Sequence, residues 1–267
     1  MRRRRDSGAR PVAPALCVLL LAAGCGPIVT TTPAPVEPFR AVVRVEPPTL
    51  VAPPTQPAVR PRAPLPEGTR IGMLAGEACF AELDRAGVRY QRLPGPVPGI
   101  ALPMRLAGPV GGITYRSSAR SQDSPYTLLD CRLARVLVEL SAILRPLGVV
   151  EVIHYSMHRP GKRGRASEGG GTGHYGGLAI DAATFRRAEG GPLNILKHFA
   201  GRRHAPVCGP KAAAGATAEA RALRQIVCRS DERRLFHVLL TPNHDRAHRN
   251  HFHMEVRPDG VKWFLLK

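Results

Sequence analysis

The sequence is poor in acidic residues, has no closely spaced cysteine pair and contains no apolar run long enough to cross a membrane as a helix. Lysine and arginine number 39 against 20 aspartates and glutamates, giving a formal net charge of +19 and a pI near 11.0. The absence of any Cys-x-x-Cys spacing disfavours a structural zinc site built from cysteines. The main apolar stretch, within residues 11–24, is shorter than the roughly 20 residues that a spanning helix needs. No internal repeat is present.

The excess of positive charge favours anionic partners, namely nucleic acid, acidic lipid or the carboxylates of a cell-wall polymer. An arginine-rich composition with no specific partner is the alternative. A length of 267 residues allows one sizeable domain plus extensions. Which anionic partner the protein can meet depends on its compartment, and the N-terminal residues indicate that compartment.

Residues 1–24 have the order of features of a secretory signal peptide, which is a basic start, a short apolar region and small residues before a cut. The Leu21-Ala22-Ala23-Gly24-Cys25 run resembles a bacterial lipobox, with leucine one place further from the cysteine than is usual. We therefore expect Cys25 to be lipidated and to become the first residue of the mature protein. A plain secretory signal cut near Gly24 is the alternative.

Export implies a periplasmic, lipid-anchored protein and argues against nucleic acid as a partner. Gly26, which follows the cysteine where an aspartate would favour retention, predicts the outer membrane of a Gram-negative cell. Residues 25–68 are rich in proline and predict a polyproline-like tether between the lipid and a folded domain over 69–267. A disordered spacer with no length requirement is the alternative reading of the tether.

Cysteine usage in an exported protein predicts disulfides. Four cysteines remain once the signal peptide is removed and Cys25 carries lipid: Cys79, Cys131, Cys208 and Cys228. Four cysteines allow three pairings. We favour Cys79–Cys131 and Cys208–Cys228, because each joins neighbours in the sequence.

Hydrophobic periodicity predicts a mixture of helices and strands. We expect an α+β fold, with a small antiparallel sheet flanked by helices and the site lying on the sheet. Helices are predicted over 79–83, 128–144, 192–200 and 217–236, the last with Thr217 as its N-cap. Strands are predicted over 88–90, 100–106, 149–155, 178–181, 238–240 and 248–256. Residues 161–173 are rich in glycine and arginine, which is typical of a mobile loop at the rim of a site.

The strand predicted over 248–256 carries unusual chemistry. Strict alternation places His251, His253 and Glu255 on one face of the strand and apolar residues on the other. The strand predicted over 178–181 ends in Asp181, and His174 lies shortly before it. Two histidines and one aspartate would leave the fourth position of a tetrahedral zinc open, as in catalytic sites. A polar groove without metal is the alternative.

The pattern His174-x6-Asp181 followed by His251-x-His253 resembles the zinc site of the D-Ala-D-Ala metallopeptidase and hedgehog superfamily. More closely, residues 131–256 resemble the bacterial extensin-like C-terminal domain family. The shared features are a helix that starts with cysteine, a strand that ends in arginine, a Gly-His-x-x-Gly-x-Ala-x-Asp segment and a terminal Pro-x5-His-x-x-His-x-His pattern. The chain departs from this family at His158, where a cysteine is usual, and at Thr172-Gly173, where Ser-Glu is usual.

The resemblance implies a role for each matching residue. His174, Asp181 and His253 would bind Zn²⁺, His251 and His248 would serve catalysis, and Arg159 would hold a substrate carboxylate or carbonyl. With export, this predicts a monomeric zinc-dependent hydrolase that cuts peptide bonds in the stem peptides of peptidoglycan, of murein endopeptidase or D,D-carboxypeptidase type. The alternatives are a catalytically inactive cell-wall-binding lipoprotein with the same fold and a metal-carrying protein.

Overall fold

The computed structural model describes residues 63–119, 121, 123–161, 166–167, 170–213 and 215–267. The predicted signal peptide, Cys25 and nearly all of the predicted tether lie outside the described residues, as does part of the predicted 161–173 loop. Among the described helices, none combines the length and the apolar character needed to cross a bilayer.

The described residues form five α-helices and twelve strands. The helices are α1 (Glu67–Gly72), α2 (Gly76–Arg85), α3 (Cys131–Leu144), α4 (Ile195–His198) and α5 (Ala218–Glu232). The first strands are β1 (Tyr90–Arg92), β2 (Pro103–Leu106), β3 (Thr114–Ser117), β4 (Leu129–Asp130), β5 (Val149–His154) and β6 (Ala166–Ser167). The later strands are β7 (Gly170–Gly171), β8 (Ala179–Arg187), β9 (Leu193–Asn194), β10 (Val238–Leu240), β11 (Phe252–Glu255) and β12 (Leu265–Leu266).

Seven of these strands form one mixed sheet in the order β12-β10-β11-β8-β5-β3, with β9 also paired to β8. The β10–β11, β11–β8, β5–β8 and β8–β9 pairs are antiparallel, as predicted. The β3–β5 and β10–β12 pairs are parallel, so the sheet is mixed and larger than the small antiparallel sheet expected. Parallel neighbours need a long crossover, and the β3–β5 connection contains α3. Strands β1, β2 and β4 form a separate three-stranded sheet.

Helix α3 forms the centre of the hydrophobic core. Its buried side chains include Leu133, Leu137, Leu140 and Leu144, which recur at helical spacing. The helix begins at residue 131 rather than 128, because Leu129 and Asp130 pair with β2 and the Asp130 carboxylate caps the helix by accepting from Arg132 N. The predicted helix is therefore confirmed from Cys131 onward.

Two disulfides are formed, Cys79–Cys131 and Cys208–Cys228, as predicted. Their Cα atoms lie 6.2 and 5.7 Å apart. The first joins α2 to the start of α3, and the second ties the segment before α5 to that helix. Both pairs are sequence neighbours among the four cysteines.

Two further helix predictions differ from the structure at their ends. Helix α5 has the predicted N-cap, since Thr217 Oγ1 accepts from Ala220 N, but it stops at Glu232. Arg234 has a positive φ of 50°, which cannot continue a right-handed helix. The predicted 192–200 helix is reduced to the single turn α4, because residues 193–194 pair with β8 before the turn begins.

An ion-pair network between helices gives a first testable prediction. Arg135 on α3 donates to Glu82 on α2 at 2.8 Å and to Glu139 at 2.8 Å, and its side chain is only 14% exposed. Arg135→Met removes one partner from each of two partly buried carboxylates. We therefore expect the free energy of unfolding to fall by about 2 kcal/mol, a loss between that for an exposed ion pair and that for a buried one. Chemical denaturation measures this loss.

The matched control for this prediction is Arg229→Met. Arg229 pairs with Glu232, but both side chains are about 60% exposed. Its loss should cost less than about 1 kcal/mol. Equal losses in the two variants would show that burial of the Arg135 network contributes nothing extra.

Candidate metal centre

The centre lies where β8 and β11 run side by side. Asp181 and His253 are direct antiparallel partners, so their side chains leave the same face of the sheet next to each other. His174 comes from the turn just before β8, in which Leu178 N donates to the Gly173 carbonyl at 2.9 Å. At Gly177, φ is +63° and a Cβ would lie 2.9 Å from Asp130 N, so the turn needs glycine there.

The three side chains predicted to bind metal meet at one point of the structure. Oδ1 of Asp181 lies 2.9 Å from His174 Nε2 and 3.1 Å from His253 Nδ1, and these two nitrogens are 3.2 Å apart. Asp181 is buried, and both histidine side chains are at most 13% exposed. The described residues therefore contain a compact group of two nitrogens and one carboxylate oxygen that could hold a metal ion.

Hydrogen bonds on the far side of each ring select its tautomer. His174 Nδ1 donates to the Met157 carbonyl at 3.2 Å, and His253 Nε2 donates to Glu255 Oε2 at 3.3 Å. Each ring then turns a lone pair toward Asp181 Oδ1. Three acceptors about 3 Å apart repel one another unless a positive charge, a proton or a metal ion, lies among them.

The electrostatics of the group favour a bound positive charge. Burial lowers the pKa of His253, but its hydrogen bonds to the Asp181 and Glu255 carboxylates outweigh burial and raise that pKa to about 9. Burial also acts to raise the pKa of Asp181, yet the two histidines hold it well below its usual range. Burial lowers the pKa of His174, so that ring is neutral at pH 7.

Glu255 is a part of the centre that sequence reasoning placed on the correct face without giving it a role. The residue is 7% exposed, and its Oε1 accepts from Arg257 at 2.8 Å while Oε2 holds His253. A carboxylate behind a metal-binding imidazole fixes the ring and increases its basicity. The strand alternation, which put Glu255 beside His253, was the available signal.

His251 lies beside the three ligand atoms, with its Nε2 3.4 Å from Asp181 Oδ1. Its Nδ1 donates to Asn250 Oδ1 at 3.0 Å, and Asn250 Nδ2 donates to the Tyr155 hydroxyl at 3.0 Å. Burial lowers the pKa of His251 to about 4, so the ring is neutral with a lone pair on Nε2. Sequence reasoning missed Asn250 and Tyr155, because the contacts depend on how a turn packs against β5.

The predicted 248–256 strand is correct only from Phe252 to Glu255. Residues 247–250 form a turn, in which Asp245 Oδ1 accepts from both the backbone N and Nδ1 of His248. The His248 ring lies 5.2 Å from the His251 ring and 6.0 Å from the His253 ring, centroid to centroid. His248 thus borders the centre from a turn rather than from the strand.

Arg159 joins the centre to an open cleft. Its guanidinium contacts Asp181 Oδ2 and donates to Ser156 Oγ at 2.8 Å, and 34% of its side chain is exposed. The cleft has a volume of about 390 Å³. Its lining consists of Tyr126, Tyr155, Ser156, Arg159 and Pro160. His158, which stands where the resemblance expects cysteine, is buried and its Nδ1 donates to the His174 carbonyl at 3.1 Å.

Comparison with known proteins identifies a family. A family model described as "Extensin-like protein C-terminus" matches residues 77–263, which is well over half of the chain. The matched range includes both disulfides and every predicted site residue. No curated protein and no solved structure matches the chain. The chain therefore belongs to the Extensin-like protein C-terminus family.

Proposed function

We propose that this protein is a zinc-dependent hydrolase of peptide bonds in peptidoglycan, of murein endopeptidase or D,D-carboxypeptidase type, related to the D-Ala-D-Ala metallopeptidase and hedgehog superfamily. The observation that carries the proposal is the convergence of His174, Asp181 and His253 to within 3.2 Å of one another beside His251. The same residues were selected from the sequence by that superfamily's pattern.

The donor set suits zinc. Ligands about 2.0–2.1 Å from a tetrahedral zinc are about 3.3 Å from each other, and the separations here are 2.9–3.2 Å. Imidazole and carboxylate are common zinc ligands, and sites with three protein ligands are typical of catalytic zinc. Zinc, when bound, supplies a Lewis acid that polarises a carbonyl group and makes water more acidic.

His251 is placed to move the proton. Its neutral ring presents Nε2 to the centre, so it can accept a proton from the attacking water. The protonated ring can then donate that proton to the leaving amine. Asn250 keeps Nδ1 as the N–H end of the ring, so the lone pair stays on the reacting side.

Arg159 and the cleft provide a place for the substrate. A guanidinium binds carboxylates through two parallel hydrogen bonds, and peptidoglycan stem peptides carry free carboxylates. The net charge of +19 adds a long-range attraction for an anionic polymer. Arg159 also contacts Asp181, so the side chain proposed to bind the substrate is bonded to a proposed metal ligand.

The proposed cellular location is the periplasm, where a lipid on Cys25 anchors the chain to the outer membrane. The two disulfides support an oxidising compartment. The order of features in residues 1–24 supports a lipoprotein signal. An exported protein meets peptidoglycan and not nucleic acid.

The direct test is to incubate purified murein with the zinc-loaded protein and to measure new amine groups. An endopeptidase would open cross-links between stem peptides, and a D,D-carboxypeptidase would release free D-alanine. If murein sediments the protein but no new amine appears, the chain is a wall-binding protein without turnover.

The carboxylate behind His253 gives a second prediction. Glu255→Gln keeps the shape and an oxygen acceptor but removes the charge, so we expect zinc affinity to fall by about 10–100-fold. Competition with a chromophoric chelator measures the change. Glu151→Gln is the control, because Glu151 pairs with Arg116 and Arg186 at the other end of β5. Wild-type affinity in Glu255→Gln would refute the role given to Glu255.

A further inference from the structure

A second group of metal-ligating side chains lies on the segment between β10 and β11. It consists of His244, Asp245 and His248. His244 Nε2 is 3.4 Å from Asp245 Oδ2, and His248 Nδ1 is 2.8 Å from Asp245 Oδ1. One imidazole thus faces each oxygen of the carboxylate.

The backbone of the turn fixes this arrangement. Asp245 Oδ1 accepts from His248 N at 3.1 Å, and His244 N donates to the Thr241 carbonyl at 2.9 Å. The ligand atoms all lie within 4.8 Å of one another. Two imidazoles and a carboxylate are donors that zinc and similar divalent ions accept.

The surroundings give an ion access and room. The side chains of His244, Asp245 and His248 are 31%, 42% and 19% exposed. A cavity of about 300 Å³ lies on the His244 side of the group and is also lined by His204. Lys267 lines the same cavity, and Arg246 follows Asp245 in the chain. These cations lower the affinity of the site.

His248 stands between this group and the candidate metal centre. Its ring lies 5.3 Å from the ring of His244 and 6.0 Å from that of His253, centroid to centroid. We propose that His244, Asp245 and His248 form a second, weaker site for a divalent cation beside the centre of His174, Asp181 and His253. The two sites use different ligand atoms, so the second does not depend on the chain being a hydrolase.

A calorimetric titration of the metal-free full chain with zinc tests this proposal. We expect two classes of site, with affinities that differ by at least about tenfold, since the weaker one is more exposed and flanked by positive charge. The double variant His244→Gln/Asp245→Asn should lose only the weaker class. Asparagine at 245 keeps an oxygen to accept from His248 N, so the turn is preserved.

Two controls separate this proposal from the proposed function. Asp181→Asn should lose only the tighter class, and His198→Gln, which changes a histidine of neither group, should keep both. A single zinc that the double variant retains and Asp181→Asn loses would overturn the second site, as would retention of both classes in the double variant. A single zinc that the double variant loses and Asp181→Asn retains would instead count against the proposed zinc centre.

Discussion

Asp181→Asn is expected to abolish tight zinc binding and peptide hydrolysis together. Oδ1 of Asp181 lies within 3.4 Å of three imidazoles, and Oδ2 accepts from Ser156 and Arg159. An amide in its place lacks the negative charge, and its N–H₂ end must face either the imidazole nitrogens that would bind the metal or the donors Ser156 and Arg159. Because residues behind a metal ligand already contribute about 10–100-fold to affinity, loss of a ligand should cost more than about 100-fold.

Zinc affinity of this variant is measured by chelator competition, and hydrolysis by the release of amines from murein. Asp231→Asn is the matched control, because Asp231 pairs only with Arg234 among the ion pairs seen for it in the described residues. That control should retain wild-type affinity and activity. Zinc affinity within threefold of wild type in Asp181→Asn would remove Asp181 from the metal ligands.

His251→Ala should separate metal binding from catalysis. We expect the rate of hydrolysis to fall by about 10²–10⁴-fold, the usual contribution of a positioned acid–base group. Zinc affinity should change by only a few-fold, because His174, Asp181 and His253 keep their hydrogen bonds to Met157, Ser156 and Glu255. Binding to murein should be retained as well.

The measurement compares kcat and KM on purified muropeptides with zinc content and sedimentation with murein. His198→Ala serves as the histidine control. A kcat within threefold of wild type would exclude His251 as the proton carrier. An inactive wall-binding protein would show no hydrolysis in either form and unchanged sedimentation.

The candidate centre could be predicted from the sequence by combining strand geometry with the family resemblance, which singled out His253 rather than His251 as a ligand and assigned His174 to the metal. Alternation placed His253 on one face of its strand, and Asp181 ends an apolar run of the neighbouring strand. In the sheet these two residues are direct partners. The roles of Glu255 and Asn250 depend on contacts across the fold, which no local pattern encodes.

The errors in the fold have local physical causes. The Asp245 carboxylate accepts a hydrogen bond from the backbone N–H of His248, which forms a turn where alternation predicted a strand. Pairing of residues 193–194 with β8 replaces the first turn of a predicted helix. The two parallel pairs at the edges of the sheet were also missed, because alternation along a strand is the same whether its neighbour is parallel or antiparallel.

The support beneath His174 decides how the protein should be prepared. The Gly177 carbonyl accepts from Asp130 N at 2.9 Å, and the next residue, Cys131, is bonded to Cys79. The turn that carries His174 therefore rests on a helix end anchored by cystine. In protein made in a reducing cytoplasm, or kept in dithiothreitol, this disulfide is absent and the position of the His174 imidazole is less restrained. Recombinant production belongs in an oxidising host compartment.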